Sequence, residues 1–119
     1  MYTVYAYANC STCRNALRWL EQRKIPHRVV PIREQPPTKE ELRAALKAYD
    51  GDLRRLFNTA GSDYREMNLK DKLPKMEADE AFHLLSSNGN LVKRPFLVGN
   101  GVALHGFQEA RWTEKLTSS

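Results

Sequence analysis

Residues 2–20 read YTVYAYANCSTCRNALRWL, and the prediction of the fold begins with this segment. Residues 2–7 form an apolar run that predicts a strand, and a helical pattern follows from near Ser11 to Arg23. The apolar positions of that helix fall on one face: Cys13, Ala16, Leu17 and Leu20. A second strand is predicted over residues 27–32. Two strands joined by one helix form a βαβ unit, so we expect a parallel, right-handed pair.

The rest of the chain predicts helices followed by a hairpin. Thr38 and Glu41 make a capping box that begins the second helix, and Asp50-Gly51 ends it. Two short apolar runs flank Asn100-Gly101, which is typical of a β-hairpin with a type I′ turn. The remaining predicted helical segments are short pieces over 52–73, a helix over about 77–86 and a last helix over about 107–116.

The order of elements is therefore β-α-β, a helical middle and β-β-α. This order predicts the α/β fold class with a thioredoxin-like layout, in which helices cover both faces of one four-stranded mixed sheet. With 119 residues, we expect a single domain over 1–119 that carries a helical insertion at about 36–88.

The composition and charge of the chain limit the kinds of molecule that the protein is expected to bind. The chain has a net charge of +5, but its basic residues are spread out, with Arg23-Lys24 and Arg54-Arg55 as the densest pairs. We therefore expect a solvated surface and no direct nucleic-acid binding. No apolar stretch approaches the ~18–20 residues of a membrane span, and the N-terminus lacks a signal-peptide pattern. A cytoplasmic location and no membrane partner are expected.

The only two cysteines, Cys10 and Cys13, lie where the first strand gives way to the first helix. Free N–H groups at a helix N-terminus stabilise a thiolate, so Cys10 is the predicted catalytic nucleophile. Cys13 lies one turn further on and can attack a mixed disulfide on Cys10 as the resolving thiol. A reducing cytosol favours a catalytic or metal-binding pair over a structural one, and the pair is predicted to form a redox-active disulfide.

Two other readings of the cysteines remain open. Half of a zinc site is one, although zinc wants four ligands and the histidines His27, His83 and His105 are isolated. A pair of buried structural thiols is the other, and it is stronger for Cys13, which falls on the apolar face of its helix. We expect no bound metal or cofactor.

Arg94-Pro95, just before the hairpin, is the second candidate feature. Pro95 fits a strand start, and a cis peptide there would bring its loop against the cysteines. Arg94 could hold an oxyanion or a carboxylate through two hydrogen bonds, or could be an exposed arginine in solvent. Arg14, in the first turn after Cys13, is a supporting candidate for stabilising the thiolate.

Several segments resemble the ArsC/Spx family of glutaredoxin-linked arsenate reductases and their relatives. They are Tyr-Ala-Asn-Cys-Ser-Thr-Cys-Arg-Asn-Ala (7–16), Pro36-Pro37-Thr38, Leu-Arg-Arg-Leu-Phe-Asn-Thr (53–59), Lys-Arg-Pro-Phe-Leu-Val (93–98) and Gly106-Phe107. The resemblance implies a thioredoxin-like domain in which the cysteine at the Cys10 position attacks arsenate among three arginines. Only Arg94 of those arginines is present, because Asn58 and Gly106 stand at the other two positions.

The resemblance also bears on Cys13. It implies that three-arginine reductases lack this cysteine because glutathione resolves their intermediate, whereas Spx-type regulators use it in a disulfide switch and bind RNA polymerase. Those regulators carry a longer C-terminal tail than this chain. The leading hypothesis is a thiol–disulfide oxidoreductase with glutathione, a glutaredoxin or a thioredoxin as reductant. A redox-sensing regulator that binds RNA polymerase ranks second, and a true arsenate reductase ranks third.

Overall fold

The computed structural model describes residues 1–117 and contains one four-stranded sheet. Its strands are β1 (Tyr2–Ala6), β2 (His27–Pro31), β3 (Phe96–Gly99) and β4 (Val102–His105). The spatial order is β2-β1-β3-β4; β1 and β2 are parallel, and the other two pairs are antiparallel. The predicted mixed sheet is confirmed.

The helices lie between and after the strands as predicted. They are α1 (Ser11–Gln22), α2 (Lys39–Ala48), α3 (Ser62–Glu66), α4 (Leu69–Lys72), α5 (Ala78–Ser87) and α6 (Glu109–Thr117), with 3₁₀ turns at Leu53–Leu56, Leu73–Lys75 and Gly89–Leu91. The capping box of α2 is present, since Thr38 Oγ1 accepts from the Glu41 N–H and Glu41 Oε1 accepts from the Thr38 N–H. Within residues 1–117, no helix is long and apolar enough to cross a membrane.

The end of β1 differs from the prediction by one residue. The carbonyl of Tyr7 accepts a hydrogen bond from the Cys10 N–H at 3.1 Å, which closes a turn instead of extending the ladder. This turn places Cys10 immediately before α1.

Each face of the sheet has its own core. Side chains of β1, α1 and α6 pack on one face, and Trp112 and Leu20 are among its most buried members. Residues of α2, α5 and the short middle helices pack on the other face around Phe57 and Phe96. Helices therefore cover both faces, as predicted.

The hairpin brings the Arg94-Pro95 segment to the cysteines. Asn100 and Gly101 both have positive φ, 49° and 79°, as a type I′ turn requires. Phe96, the first residue of β3, lies opposite Tyr5 in β1. The residues that precede β3 therefore lie at the end of the sheet where β1 gives way to α1.

Candidate functional site

Cys10 is the N-cap residue of α1. Its backbone is extended (φ −104°, ψ 116°), and its Sγ accepts a hydrogen bond from the Cys13 N–H across 3.4 Å. A capping side chain normally accepts from such an N–H with oxygen, and here a thiol takes that position. The nucleophile predicted from the sequence thus lies against the free N–H groups of the first helical turn.

The surroundings of Cys10 lower its pKa. Burial is the largest single influence and opposes the thiolate, since the side chain is half-buried. Hydrogen bonds from the Cys13 N–H and thiol, the charge of Arg94 and the Thr12 N–H together outweigh it. The Cys10 thiol therefore ionises more readily than an ordinary cysteine.

Cys13 lies in the opposite environment. Only 1% of it is exposed, in the core between α1, α6 and the sheet. Burial, the hydrogen bond to Cys10 and the negative charge of an ionised Cys10 raise the pKa of Cys13 to about 12, against the opposing effects of the Tyr7 N–H and Arg94. Both cysteines are free thiols, and the two have different chemical character.

Arg94 is half-buried beside the pair. The peptide bond between Arg94 and Pro95 is cis. The guanidinium carbon of Arg94 lies 5.0 Å from the centre of the Tyr7 ring, and its Nη1 is buried without a hydrogen-bond partner. Its charge lowers the pKa of both cysteines. Arg94 is therefore within electrostatic reach of the thiols rather than free in solvent.

The other predicted supporting residues, Asn58, Arg14 and Pro95, each have a different hydrogen-bond partner. Asn58 lines two cavities together with Arg94, and its Nδ2 donates to the Asn90 carbonyl at 3.5 Å. Arg14 is exposed and donates from Nη1 to the Ala8 carbonyl at 2.9 Å, which fixes the loop before Cys10. Pro95 accepts from the Gly106 N–H through its carbonyl at 2.8 Å, which ties the loop to the end of β4.

Two cavities flank Arg94. One, of about 260 Å³, is lined by Tyr7, Arg33 and Asp63 among others. The other, of about 360 Å³, is lined by Thr12, Lys93, His105 and Gly106 among others. Arg94 and Asn58 line both, so they stand between the two.

Sequence reasoning missed Tyr7 and Arg33. The Tyr7 hydroxyl accepts from Asn9 Nδ2 at 3.4 Å and from Arg33 Nη1 at 2.9 Å. The Asn9 hydrogen bond first, and then the Arg33 charge, lower the pKa of Tyr7. Arg33 follows β2 and carries no local motif. Only the parallel pairing of β1 and β2 indicates that residues after β2 reach the end of β1.

His105 is another residue to which the sequence assigns no role. It is 7% exposed, its ring stacks on Phe96 at 4.2 Å, and its Nδ1–H donates to the Lys93 carbonyl at 3.0 Å. Burial lowers its pKa to about 4, so the ring is neutral and Nε2 carries a lone pair without a hydrogen-bond partner. No group of three or more His, Cys, Asp or Glu side chains within residues 1–117 could hold a metal ion.

The fold and the cysteine pair define a thioredoxin-like protein with a thiol at a helix N-terminus. The ArsC family model matches residues 5–115, and the chain belongs to the ArsC family. The predicted family and fold class are both confirmed by this match and by the solved structures that the chain resembles.

Three relatives illustrate the range of the family. The chain is 45% identical over 112 residues to the uncharacterized protein YusI of Bacillus subtilis, covering 94% of this chain and 95% of YusI. A crystal structure described as a possible arsenate reductase from Streptococcus mutans superposes with a TM-score of 0.85 at 39% identity, covering 91% and 92% of the two chains. The global transcriptional regulator Spx of Listeria innocua is 26% identical over 110 residues, covering 92% of this chain and 82% of Spx.

Proposed function

We propose that the protein is a thiol–disulfide oxidoreductase in which Cys10 is the nucleophile and Cys13 the resolving thiol. The proposal rests on the inequality of two adjacent thiols. The pKa of Cys10 is lowered, that of Cys13 is raised to about 12, and Cys10 Sγ lies 3.4 Å from the Cys13 nitrogen. Only a thiolate attacks a disulfide, so the first attack at neutral pH belongs to Cys10.

The reaction has two exchange steps. The Cys10 thiolate attacks one sulfur of a substrate disulfide, forms a mixed disulfide and expels the other sulfur as a thiolate, which is then protonated by water. Cys13 next loses its proton, attacks Cys10 Sγ and expels the second substrate thiolate, which takes up a proton in turn. The substrate gains two electrons and becomes two thiols, while the protein becomes the Cys10–Cys13 disulfide.

The first step itself prepares the second. Burial is the largest cause that raises the pKa of Cys13, and the hydrogen bond to the Cys10 sulfur and a negative charge on Cys10 raise it further. When Cys10 enters a mixed disulfide that charge disappears, and the pKa of Cys13 falls while Arg94 continues to favour its thiolate. Burial still raises the pKa of Cys13, but the thiol ionises more readily once Cys10 is in a mixed disulfide.

A thiol reductant must return the electrons after each cycle. Two equivalents of glutathione, or one dithiol protein such as a glutaredoxin or thioredoxin, would reduce the Cys10–Cys13 disulfide by the same exchange in reverse. This chemistry belongs to a reducing compartment, which is consistent with the expected cytoplasmic location.

Turnover with a small disulfide tests the proposal. Glutathione-dependent reduction of bis(2-hydroxyethyl) disulfide is followed with the purified protein, Cys10→Ser and Cys13→Ser. We expect turnover by the wild type, none by Cys10→Ser, and altered turnover by Cys13→Ser because glutathione must then resolve the mixed disulfide. Background rates for the wild type, with a Cys10 pKa at the free value, would contradict the proposal.

A redox-responsive regulator that binds RNA polymerase is the second candidate. It is favoured by the similarity to the global transcriptional regulator Spx together with the Cys10–Cys13 pair. Purified RNA polymerase would be tested for retention of the protein in the reduced and the oxidised state. Retention in one state only supports a regulator, and no retention in either state removes this candidate.

Arsenate reduction ranks third because Asn58 and Gly106 stand where the family's arsenate reductases carry arginines. Each missing charge-assisted contact weakens the binding of a divalent oxyanion by about 1.5–3 kcal/mol. Equal arsenate reduction by the wild type and Cys10→Ser would exclude this activity.

A further inference from the structure

The side chain of Lys93 occupies space that a side chain at position 106 would need. A Cβ built on Gly106 would lie 2.9 Å from Lys93 Cε and 3.9 Å from its Nζ. Gly106 has a φ of +74°, a conformation that favours glycine. The lysine therefore lies across the bare backbone of Gly106, on the wall of the 360 Å³ cavity.

Lys93 and Arg94 give this cavity a cationic character. Both line it together with Thr12, which is in the same helical turn as the cysteines. Neither cation forms an ion pair with a carboxylate within the part of the chain that the structure describes, 1–117, and Arg94 Nη1 is buried without a partner. The cavity thus offers hydrogen-bond donors and positive charge that no protein group uses.

His105 adds an independent sign of a polar ligand. It lines the same cavity and is more than nine-tenths buried, yet its Nε2 lacks a hydrogen-bond partner. Because Nδ1 carries the proton, Nε2 is an acceptor, so it can pair with a hydrogen-bond donor on a polar ligand but not with a carboxylate. The cavity is therefore built for a polar occupant rather than an apolar one.

We infer that Lys93 is a specificity-determining residue, and that the cavity which it shares with Arg94 selects disulfides bearing a carboxylate near the reactive sulfur. This inference rests on the proposed thiol–disulfide exchange at Cys10. The carboxylate binds between the two cations, which positions the neighbouring sulfur for the Cys10 thiolate. After attack, the leaving thiolate departs and the mixed disulfide keeps its carboxylate in the cavity.

Three aliphatic disulfides of similar size test the inference: 3,3′-dithiodipropionate (anionic), bis(2-hydroxyethyl) disulfide (neutral) and cystamine (cationic). The rate of their reaction with Cys10 is measured by quenched intact-mass analysis and divided by the rate for free 2-mercaptoethanol. Four proteins are compared: the wild type, Lys93→Gln, Lys93→Arg and Lys39→Gln. Lys39 is an exposed lysine at the start of α2, so its replacement makes the same change in net charge.

We expect the wild type to prefer the anionic over the cationic disulfide, relative to the free thiol. Lys93→Gln should lower that preference about two- to fivefold, the range for one exposed charge pair, and the preference should shrink as salt is added. Lys93→Arg should retain it, and Lys39→Gln should match the wild type. A purely structural role for Lys93 would not change the ratio of rates.

An unchanged ratio in Lys93→Gln, or an equal loss in Lys39→Gln, would overturn the inference while leaving the exchange activity intact. Failure of the wild type to react even with the neutral disulfide would overturn the proposed function, and the inference with it. The reaction with the neutral disulfide therefore distinguishes a failure of the inference about Lys93 from a failure of the proposed function.

Discussion

The backbone N–H of Cys13 donates a hydrogen bond to the sulfur of Cys10 across 3.4 Å. Cys13 therefore bears on the proposed nucleophile in two ways. Its amide and thiol stabilise the Cys10 thiolate, and in the proposed reaction its sulfur attacks the mixed disulfide on Cys10. The N-cap geometry of α1 links the two roles, because residue 13 is the third residue of that helix.

Alkylation should distinguish the two thiols. The rate at which Cys10 reacts with iodoacetamide should rise with pH, and the midpoint of that rise should lie below the pKa of about 8.5 of an unperturbed thiol. Buried Cys13 should stay unmodified until the pH approaches its raised pKa of about 12. Peptide mass mapping at increasing pH measures both.

Two replacements at position 13 sharpen this measurement. Cys13→Ala removes the thiol donor but keeps the backbone N–H, so the Cys10 midpoint should rise. Cys13→Ser keeps a hydroxyl donor and should have a smaller effect. Equal midpoints in the wild type and Cys13→Ala would show that the Cys13 thiol does not stabilise the thiolate.

Removing the Arg94 charge should raise the pKa of Cys10. The guanidinium is one of the groups that lower this pKa, so Arg94→Gln should leave less thiolate at neutral pH and slow the reaction with a neutral alkylating agent about two- to fivefold. Arg18→Gln is the matched control, since Arg18 is an exposed arginine of α1. Rates of iodoacetamide consumption across pH would check this, and equal profiles for Arg94→Gln and Arg18→Gln would contradict it.

His105 should make stability depend on pH. Burial, followed by the charges of Lys93 and Arg55, lowers its pKa from 6.5 to about 4, against the opposing hydrogen bond to the Lys93 carbonyl. A depressed pKa contributes stability that is fully present above 6.5 and is lost as the pH falls through about 4. The difference corresponds to about 3 kcal/mol in the free energy of unfolding.

Urea unfolding between pH 7 and pH 4 measures this contribution. The wild type should lose about 3 kcal/mol more than His105→Gln over that range, because the glutamine does not titrate. The variant can be less stable at every pH without affecting the test, since the slope is what is compared. Parallel pH profiles would refute the assignment.

Gly89 should be intolerant of any side chain for steric reasons. A Cβ at this position would lie 1.9 Å from the Ile32 carbonyl oxygen and 2.7 Å from its carbon, so backbone would have to move. We expect Gly89→Ala to destabilise the protein by about 3 kcal/mol or more. Gly51→Ala, where nothing lies within 4 Å but φ is +83°, should lose only about 1 kcal/mol. Urea midpoints compare the two, and equal losses would contradict the steric explanation.

Local sequence signals were enough to predict the helices, the strands, the hairpin turn and the different surroundings of the two cysteines. The period-3.6 pattern before Arg23, the Thr38 capping box and the Asn100-Gly101 turn each follow from short-range chemistry, and all are observed. The unequal environments of Cys10 and Cys13 also followed from their places at a helix start and on its apolar face.

Contacts between residues far apart in the sequence could not be predicted from local sequence signals. Arg33 reaches the Tyr7 hydroxyl only because β1 and β2 are parallel neighbours. Lys93 lies over Gly106 because the hairpin folds back on itself. Neither residue belongs to a local motif, and their distances to the site depend on tertiary packing.

In the proposed function, Cys10 captures a disulfide and Cys13 resolves it. Intact-mass analysis after reaction with bis(2-hydroxyethyl) disulfide tests this directly in the wild type, Cys13→Ala and Cys10→Ala. We predict that Cys13→Ala accumulates a stable mixed disulfide on Cys10, that the wild type proceeds to an internal Cys10–Cys13 disulfide, and that Cys10→Ala remains unmodified. A wild-type protein that keeps the mixed disulfide as stably as Cys13→Ala, or that carries it on Cys13, would contradict the account.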